Sequence, residues 1–278
     1  MIWKNQRRCV DLTQSGVVMG ILNATPDSFS DGGKHLHGAA ALGYALEMVS
    51  EGAEIIDIGG ESTRPGADAI SLDEEMNRTV PLIESLRSES DVLISIDTSK
   101  VGVASAAIDA GADIINDVTG CREEGMIDLC AESGAGICVM HMQGEPRTMQ
   151  EKPDYLNEGG VVAAVKSFFD ERLKTLSHHG VDTDCICFDP GIGFGKSLDH
   201  NLELIRRVDE LQHARPILLG VSRKSFIGQL TGEKDPEKRD ASTAAITAMT
   251  YRQGIRLHRV HNVPASVHAL RVAEAMAK

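Results

Sequence analysis

Carboxylate and amide side chains stand at the end of several short apolar runs in the sequence. Asp97 ends VLISID, Asn116 lies in DIINDV and Asp189 ends CICFD. A carboxylate can accept two parallel N–H bonds from an amidine-like edge, such as that of a 2-aminopyrimidinone, and an amide can both donate and accept. With Lys224 donating to a ring carbonyl or nitrogen, these residue types fit a pterin or a guanine better than a sugar.

A second group of side chains fits an anion. It consists of Arg64, Arg259 and His261, with Thr63 supplying a hydroxyl. Guanidinium groups offer planar, forked donors that match phosphate oxygens. Arg259 and His261 are two residues apart on a predicted strand, so their side chains point the same way. In a chain of net charge −13, converging cations indicate a phosphate or diphosphate site; a salt bridge from Arg259 to a neighbouring helix and a structural His261 are the alternatives.

Runs rich in Val, Ile and Leu carry these residues and predict eight strands. The runs span 17–23, 54–60, 92–97, 113–118, 136–141, 185–189, 216–222 and 256–261. Most segments between them have apolar residues at helical spacing. This repetition predicts an α/β fold, a single (β/α)8 TIM-type barrel over about 17–278 in one domain of 1–278, rather than an open doubly wound sheet. The carboxyl ends of barrel strands converge on one face, which would gather the polar residues.

Several segments between the strands carry more specific expectations. Ser71 and Glu74 form a capping-box pattern at the start of a helix over 71–86, and Pro81 should kink that helix or end its first piece. The longest helical segment is 155–180. The loops 24–38 and 61–71 are long and flanked by glycine, which makes them candidate lids over the site.

The stretch DPGIGFGKS, residues 189–197, imitates a nucleotide-binding loop. A P-loop needs glycine at position 190, where this chain has Pro190, and the dinucleotide pattern also fails because the third glycine comes one residue early. We expect the glycines to let the backbone turn sharply and approach a flat ligand closely. Lys196 is then a minor candidate beside Lys224.

Composition narrows the class of protein further. The acidic balance argues against nonspecific binding to nucleic acid or anionic membranes. The six cysteines have no zinc spacing, which favours buried free thiols in a reducing compartment. The amino terminus lacks a signal-peptide pattern and no run of about 20 apolar residues occurs, so a cytoplasmic enzyme or binding protein is expected. The absence of H-x-H and D-x-D pairs argues against a metal caged by protein ligands alone.

The ordered motifs resemble those of the dihydropteroate synthase family. They are ILNATPDSFSDGG, DIGGESTRPGA, SIDTSK, INDV, MHMQG, DPGIGFGK, GVSRKSFIG and RVHNV, from about residue 17 to the end. The resemblance implies a TIM-type barrel, a homodimer and a step of folate biosynthesis. In that step p-aminobenzoate displaces diphosphate from 6-hydroxymethyl-7,8-dihydropterin diphosphate to give 7,8-dihydropteroate, and sulfonamides compete for the aminobenzoate site.

The resemblance also implies roles for individual residues. The pterin would be held by Asp97, Asn116, Asp189 and Lys224, and the diphosphate by Asn23, Arg259 and His261, with Mg²⁺ bridging the diphosphate and Asn23. The aminobenzoate would be framed by Phe29, Thr63, Pro65, Phe194, Lys224 and Ser225. Asp31 would stabilise a cation or the incoming aniline, and catalysis would rest on Asp31, Asp97, Lys224, Arg259 and His261. From the residue types alone, Met140 is expected to line the face of an aromatic ligand.

One position departs from the family pattern, and three rival functions remain. The family usually has RVHDV where this chain has RVHNV, so Asn262 replaces an Asp whose role we expect to be indirect. A methyltetrahydrofolate-type pterin methyltransferase would share the Asp–Asn site but not need the anion cluster. A non-catalytic pterin-binding paralogue is a second alternative, and a phosphate-handling aldolase barrel a third, although no Schiff-base lysine or histidine set is evident.

Overall fold

Eight parallel strands form the centre of the computed structural model, which describes residues 1–25, 34–62, 68–144, 148–212 and 215–277. The strands are β3 (Val17–Asn23), β4 (Ile55–Gly59), β5 (Leu93–Asp97), β6 (Ile114–Asp117), β7 (Gly136–Met140), β8 (Ile186–Asp189), β9 (Leu218–Leu219) and β10 (Leu257–Val260). Their order is β8-β7-β6-β5-β4-β3-β10-β9. A parallel bridge from Phe188 to Ile217 joins the two outer strands, so the sheet closes into the predicted barrel.

Helices follow the strands and cover the outside of the barrel. They are α1 (Lys34–Ser50), α2 (Leu72–Glu89), α3 (Val101–Asp109), α4 (Met126–Ser133), α5 (Val161–His178), α6 (Leu198–Arg206), α7 (Ser225–Thr231), α8 (Asp240–Arg252) and α9 (Val263–Ala277). The main core lies between these helices and the outward faces of the strands. A parallel sheet covered in this way is buried on both faces, as the apolar strands predicted.

The lower half of the barrel interior is a separate apolar cluster that an amino-terminal hairpin closes. The hairpin pairs β1 (Ile2–Lys4) with β2 (Cys9–Asp11) in antiparallel register. Trp3 is fully buried against the inward residues of the strands, and its indole N–H donates to the carbonyl of Cys185 at 2.8 Å. The sequence did not reveal this hairpin because three-residue strands are too short to show a period of two.

Helix α2 corrects the expectation that a first helical piece ends at Pro81. The helix continues through Pro81, which lies on its exposed side. The proline removes only the N–H bond to the carbonyl of Asn77, and Asn77 is also exposed, so water can satisfy that carbonyl. Ser71 caps the helix as predicted, accepting from the backbone N–H of Glu74 at 3.2 Å.

Helix α5 begins later than the predicted segment 155–180. Gly159 and Gly160 have φ of +78° and +101°, outside the helical region, and α5 starts directly after them. The cysteines are all free thiols, and five of them are buried, but Cys9 is exposed, contrary to the expectation for the set. None of the helices in the described ranges is long and apolar enough to cross a membrane.

His258 on β10 is fully buried, and within the described residues neither of its ring nitrogens has a hydrogen-bond partner. Burial lowers the pKa of His258 to about 4, so the folded chain keeps this ring neutral where the unfolded chain protonates it. Burial of the neutral His258 ring therefore has no pH-linked effect on the free energy of unfolding above about pH 6.5, and it lowers that free energy as the pH falls from 6.5 towards 4.

We predict that His258→Leu raises the free energy of unfolding, and that the gain is larger at pH 5 than at pH 7.5 by about 2 kcal/mol. Urea denaturation at the two pH values measures the difference. The exposed His268 on α9 provides the control, because His268→Leu should change both curves equally. An equal gain from His258→Leu at both pH values would show that the ring is not held neutral.

Candidate active site

The floor of the site is an ion-pair cluster at the carboxyl ends of three strands. The guanidinium of Arg259 on β10 donates through Nε to Oδ2 of Asp57 at 2.5 Å and through Nη2 to Oδ2 of Asp97 at 2.6 Å. Both carboxylates are buried. The partners of Arg259 are thus strand residues inside the barrel, so the alternative of a salt bridge to a neighbouring helix is wrong.

Asn116 joins this cluster from the next strand, β6. Its Nδ2 donates to Oδ2 of Asp57 at 3.1 Å, which fixes the orientation of the amide and leaves Oδ1 as an acceptor and the second N–H as a donor. Oδ1 of Asp57 and Oδ1 of Asp97 are also buried acceptors without a hydrogen-bond partner in the described parts of the chain. Buried acceptors are costly when unpaired, so this floor is suited to a ring that brings N–H donors.

Asp189 and Lys224 face the same pocket from β8 and from the turn after β9. Gly220 marks their meeting point: a Cβ at this glycine would lie 3.6 Å from Oδ2 of Asp189, 3.8 Å from Nζ of Lys224 and 3.9 Å from Cβ of Arg259. Oδ1 of Asp189 accepts from the backbone N–H of Gly191 at 2.7 Å, which fixes the carboxylate. The structure therefore brings together the residues that the sequence assigned to the floor.

The site has the electrostatics of a pocket withdrawn from water. Burial raises the pKa of Asp97, against the opposing effect of Arg259, and burial also raises the pKa of Asp189. Burial lowers the pKa of Lys224 to about 8, although Asp189 opposes the shift. Coulomb interactions are strong where water is excluded, so each charge on a bound molecule would interact strongly with the nearest charged side chains of the pocket.

An aromatic and thioether wall borders the pocket beside Lys224. The ammonium of Lys224 lies 4.7 Å from the centre of the Phe194 ring, at cation–π distance, and donates to the carbonyl of Ile192 at 2.5 Å. Phe194 packs on a small cluster that contains Met140 and Met142. Met140 is buried in this cluster and is paired in register with Asp189, so it supports the wall next to the floor.

The remaining predicted positions lie around the rim. His261 follows β10, and its backbone N–H and Nδ1 lie 3.1 and 3.0 Å from Oγ of Ser222. Asn23 ends β3 and is partly exposed, one strand away from Gly59 and two from Asp97. Ser225 is exposed at the start of α7. Among the described residues, no group of three His, Cys, Asp or Glu side chains is arranged to hold a metal ion.

Comparison with known proteins shows the family to which this chain belongs. Residues 19–261 match the family described as pterin binding enzyme. The chain belongs to the pterin-binding enzyme family. It is 45% identical to the dihydropteroate synthase of Escherichia coli (strain K12) over 93% of this chain and 90% of that one.

Solved structures of the family show the same barrel. A Yersinia pestis dihydropteroate synthase with a sulfonamide drug is 42% identical, with a TM-score of 0.92 over 99% of both chains. A Burkholderia cenocepacia dihydropteroate synthase complexed with 7,8-dihydropteroate is 43% identical, with a TM-score of 0.89 over 99% of this chain and 96% of that one. The resemblance of the ordered motifs to this family is confirmed.

Several of the predicted site residues lie outside the described part of the chain. They are Phe29 and Asp31 in the first long loop and Thr63, Arg64 and Pro65 in the second. Their roles stay predictions. Asp57, which the sequence places with the carboxylates but one layer deeper and without an assigned role, contacts Arg259 and Asn116 in the site. Its signal in the sequence is its position in EIIDIGG, where a carboxylate interrupts an apolar strand.

The glycines of the DPGIGFGKS loop turn the backbone sharply, as predicted, with φ of +65°, +85° and +63° at Gly191, Gly193 and Gly195. Gly191 has φ +65°, and a Cβ there would lie 1.9 Å from the carbonyl oxygen of His141. Gly195 has φ +63°, and its Cβ would meet the carbonyl of Gln143 at 2.4 Å. These two glycines thus also permit a close approach to the neighbouring loop after β7, and the approach of the backbone to a flat ligand stays a prediction.

Lys196 connects the DPGIGFGKS loop to the loop after β7. The side chain is buried, and Nζ lies 2.9 Å from the carbonyl of Phe194, 3.0 Å from Nδ1 of His141 and 3.4 Å from the carbonyl of His141. Burial lowers the pKa of Lys196 to about 7 and that of His141 to about 2. Lys196 therefore supports the loop that carries Phe194, whereas Lys224 is the lysine of the pocket, as predicted.

We predict that Asp57→Asn weakens binding of 7,8-dihydropteroate by roughly 1–3 kcal/mol, measured by isothermal titration calorimetry. The substitution retains the shape and one acceptor oxygen, but it removes the charge that holds Arg259 and replaces the unpaired acceptor Oδ1 by an N–H donor. Ser95 provides the control, because it is paired with Asp57 in register and equally buried, and its Oγ has no partner among the described residues. Ser95→Ala should leave affinity unchanged; unchanged affinity in Asp57→Asn would remove Asp57 from the site.

Proposed function

We propose that this protein condenses p-aminobenzoate with 6-hydroxymethyl-7,8-dihydropterin diphosphate to give 7,8-dihydropteroate and diphosphate. The observation that carries the proposal is the convergence of Asp97, Asn116, Asp189 and Lys224 on one buried pocket, in a chain that matches dihydropteroate synthases along most of its length. No observation favours a pterin methyltransferase, a non-catalytic paralogue or an aldolase.

The floor supplies what a pterin ring needs. The amino and ring N–H groups of a 2-aminopyrimidinone can donate in parallel to Asp189, and further ring donors can reach the unpaired acceptor of Asp97 and the amide oxygen of Asn116. Lys224 donates to the ring carbonyl or a ring nitrogen. Because the pocket is withdrawn from water, each mismatched donor or acceptor would cost binding energy, and this is the basis of selectivity for the pterin.

The diphosphate leaves the pterin substrate at the rim of the pocket. Two carboxylates hold Nε and Nη2 of Arg259, and the rest of the guanidinium can bind the leaving oxygens. His261 lies two residues further along the chain, directly after β10. Asn23 is the side chain that would contact a Mg²⁺ carried by the diphosphate; this fits a donor set of one amide without a carboxylate cage. The ion, when bound, neutralises charge on the leaving group.

Aminobenzoate enters along the wall of Phe194 and Lys224, with Ser225 at the outer edge and Phe29, Thr63 and Pro65 completing the frame. When the C–O bond to diphosphate breaks, the electron-rich dihydropterin delocalises the resulting cation, which Asp31 also stabilises. The aniline nitrogen then attacks the exocyclic carbon. Because an aniline is already a nucleophile, positioning and exclusion of water carry much of the rate rather than a strong general base. Sulfonamides would compete along the same wall.

The assay that tests this function supplies the dihydropterin diphosphate, p-aminobenzoate and Mg²⁺, and follows diphosphate and 7,8-dihydropteroate together. Formation of both in equal amounts supports the proposal. Binding of the pterin without release of diphosphate would instead favour a non-catalytic pterin-binding protein, and methyl transfer from a folate would favour the methyltransferase.

We predict that Asp189→Ala abolishes measurable pterin binding, because it removes the bidentate acceptor at the pocket floor and leaves the N–H edge of the ring unpaired. Calorimetry with 7,8-dihydropteroate measures the loss. The exposed Asp199 in the first turn of α6 offers a matched carboxylate away from the pocket, and Asp199→Ala should bind as the unmodified chain does. Retained affinity in Asp189→Ala would refute the assignment of the floor.

The assembly and the compartment are also part of the proposal. We propose a homodimer through the outer faces of α8 and α9, which pack on one another and expose Met249, Val272 and Met276. Large apolar side chains grouped on one surface are typical of a protein interface. A cytoplasmic location is supported by six free thiols, which suit a reducing compartment.

We predict that sedimentation velocity shows a dimer and that Met249→Glu shifts it to a monomer, because a charge would be buried without a partner. Leu156 is similarly exposed but lies before α5, on a different part of the barrel, so Leu156→Glu should remain dimeric. A monomer for the unmodified chain, or a dimer that survives Met249→Glu, would contradict this interface.

A further inference from the structure

The residue before the pocket lysine has an unusual backbone conformation. Arg223 has φ +59°, in the left-handed region, a conformation that among the described non-glycine residues only Cys121 shares. An L-residue with a side chain occupies this region at a cost that corresponds to roughly 5- to 30-fold in population, and only glycine avoids it. Because Arg223 directly precedes Lys224, the direction in which Lys224 leaves the backbone depends on this conformation.

Arg223 is held in this conformation by three residues at the start of α8. Its backbone N–H donates to Oγ1 of Thr243 at 3.3 Å, and its carbonyl accepts from Nη1 of Arg239 at 2.9 Å. Its guanidinium donates through Nε and Nη2 to the two oxygens of Asp240 at 2.7 and 2.8 Å. The backbone groups and the side chain of one residue are thus all fixed by the segment 239–243.

The same network reaches the other side of the site through Asn262. Nδ2 of Asn262 donates to Oδ2 of Asp240 at 3.0 Å, and Oδ1 of Asn262 accepts from the backbone N–H of Ala265 at 3.0 Å, at the start of α9. His261 precedes Asn262 directly. One carboxylate, Asp240, therefore connects the residue before Lys224 to the residue after His261.

We propose that Arg223 is a positioning residue, which Asp240 holds in the left-handed conformation so that Lys224 is directed to Ile192, Phe194 and the pocket. This inference rests on the proposed function, since the pocket lysine matters only if the pocket is used. In this proposal Arg223 acts through its backbone rather than on the ligand, since Nε and Nη2 of its guanidinium donate to Asp240 in α8.

The network also gives a physical account of the departure at position 262. With the carboxylate at 240, the side chain at 262 has to donate to it, and an amide can do this while an ionised carboxylate cannot. An Asp at 262 would face Asp240 across about 3 Å, with like charges. In this chain the amide therefore keeps the network intact, which is consistent with the indirect role expected at position 262.

The experiment compares Arg223→Gly with Arg223→Ala. Both variants lose the guanidinium, but glycine adopts φ +59° freely, whereas alanine does not. We expect Arg223→Gly to keep kcat/KM for p-aminobenzoate within about threefold of the unmodified enzyme and Arg223→Ala to lose roughly 5- to 30-fold. Equal losses in the two variants would overturn the proposal, because they would show that the guanidinium rather than the backbone conformation matters.

Arg207 supplies a matched control pair. It makes a similar arginine–carboxylate contact, to Glu210 at 2.6 and 2.9 Å, but has φ −118° and lies on the surface after α6. Arg207→Gly should therefore be no more active than Arg207→Ala. A preference for glycine at both positions would reveal a general effect of glycine, and the inference from Arg223 would fail.

Two further measurements separate positioning from a loss of stability. The upper limb of the pH profile of kcat/KM reports the ammonium of Lys224, whose pKa burial lowers to about 8. In Arg223→Ala the apparent pKa of this limb should rise, because the lysine leaves the buried pocket. In Arg223→Gly the apparent pKa should not change. An unchanged pKa in both variants would contradict the proposal. Asp240→Ala should resemble Arg223→Ala, and the double variant Asp240→Asn with Asn262→Asp, which returns a counter-charge beside Arg223, should recover activity.

A failure of the proposed function can be distinguished from a failure of the positioning role of Arg223. If the unmodified enzyme forms no 7,8-dihydropteroate, the function itself is wrong, and the comparison then uses pterin affinity in place of turnover. If the unmodified enzyme is active and the glycine and alanine variants are equal, only the positioning role is wrong.

Discussion

The site is organised by one guanidinium held between two buried carboxylates. Buried charges are tolerated in a protein only when they are paired, and removing one partner of such a pair is far more costly than the pair is stabilising. Arg259 of β10 thereby fixes Asp57 of β4 and Asp97 of β5, and Asp57 in turn fixes the amide of Asn116 on β6. Four strands are joined by polar contacts at the point where the apolar filling of the barrel ends.

This arrangement separates charge in the direction that the reaction requires. With Asp189 and Lys224 included, the pocket has three carboxylates against two cationic side chains. In the proposed reaction, a cation that develops on the dihydropterin would lie next to this excess of negative charge, and the diphosphate would depart towards His261 and Asn23 at the rim. Fixed charges in a pocket withdrawn from water stabilise such a change without reorganising, and this is how a protein lowers the barrier of a dissociative step.

The strands and the floor residues could be predicted from the sequence because both depend on local periodicity. Along each strand the inward residues alternate, so Leu257 precedes Arg259, Cys187 precedes Asp189, and the change from apolar to polar marks the carboxyl end. The pairing of Arg259 with two carboxylates could not be predicted, since it depends on strand neighbours that are distant in sequence. The hairpin of Trp3 was missed for the opposite reason, because its strands are too short to show any period.

The two lysines near Phe194 show why residue type and motif position do not settle a role. Lys196 completes a motif that resembles a phosphate-binding loop, yet Nζ is surrounded by carbonyl oxygens and His141 and binds two protein loops together. Lys224 lies in a less conspicuous stretch, but it shares the space around Gly220 with Asp189 and Arg259. Both lysines follow a residue in the left-handed region, Gly195 with φ +63° and Arg223 with φ +59°, so what separates the two is the set of groups that surrounds each ammonium. For Lys224, the proposed positioning depends on Arg223 and on its contacts with the start of α8. The chemistry of the pocket thus depends on residues that never contact it.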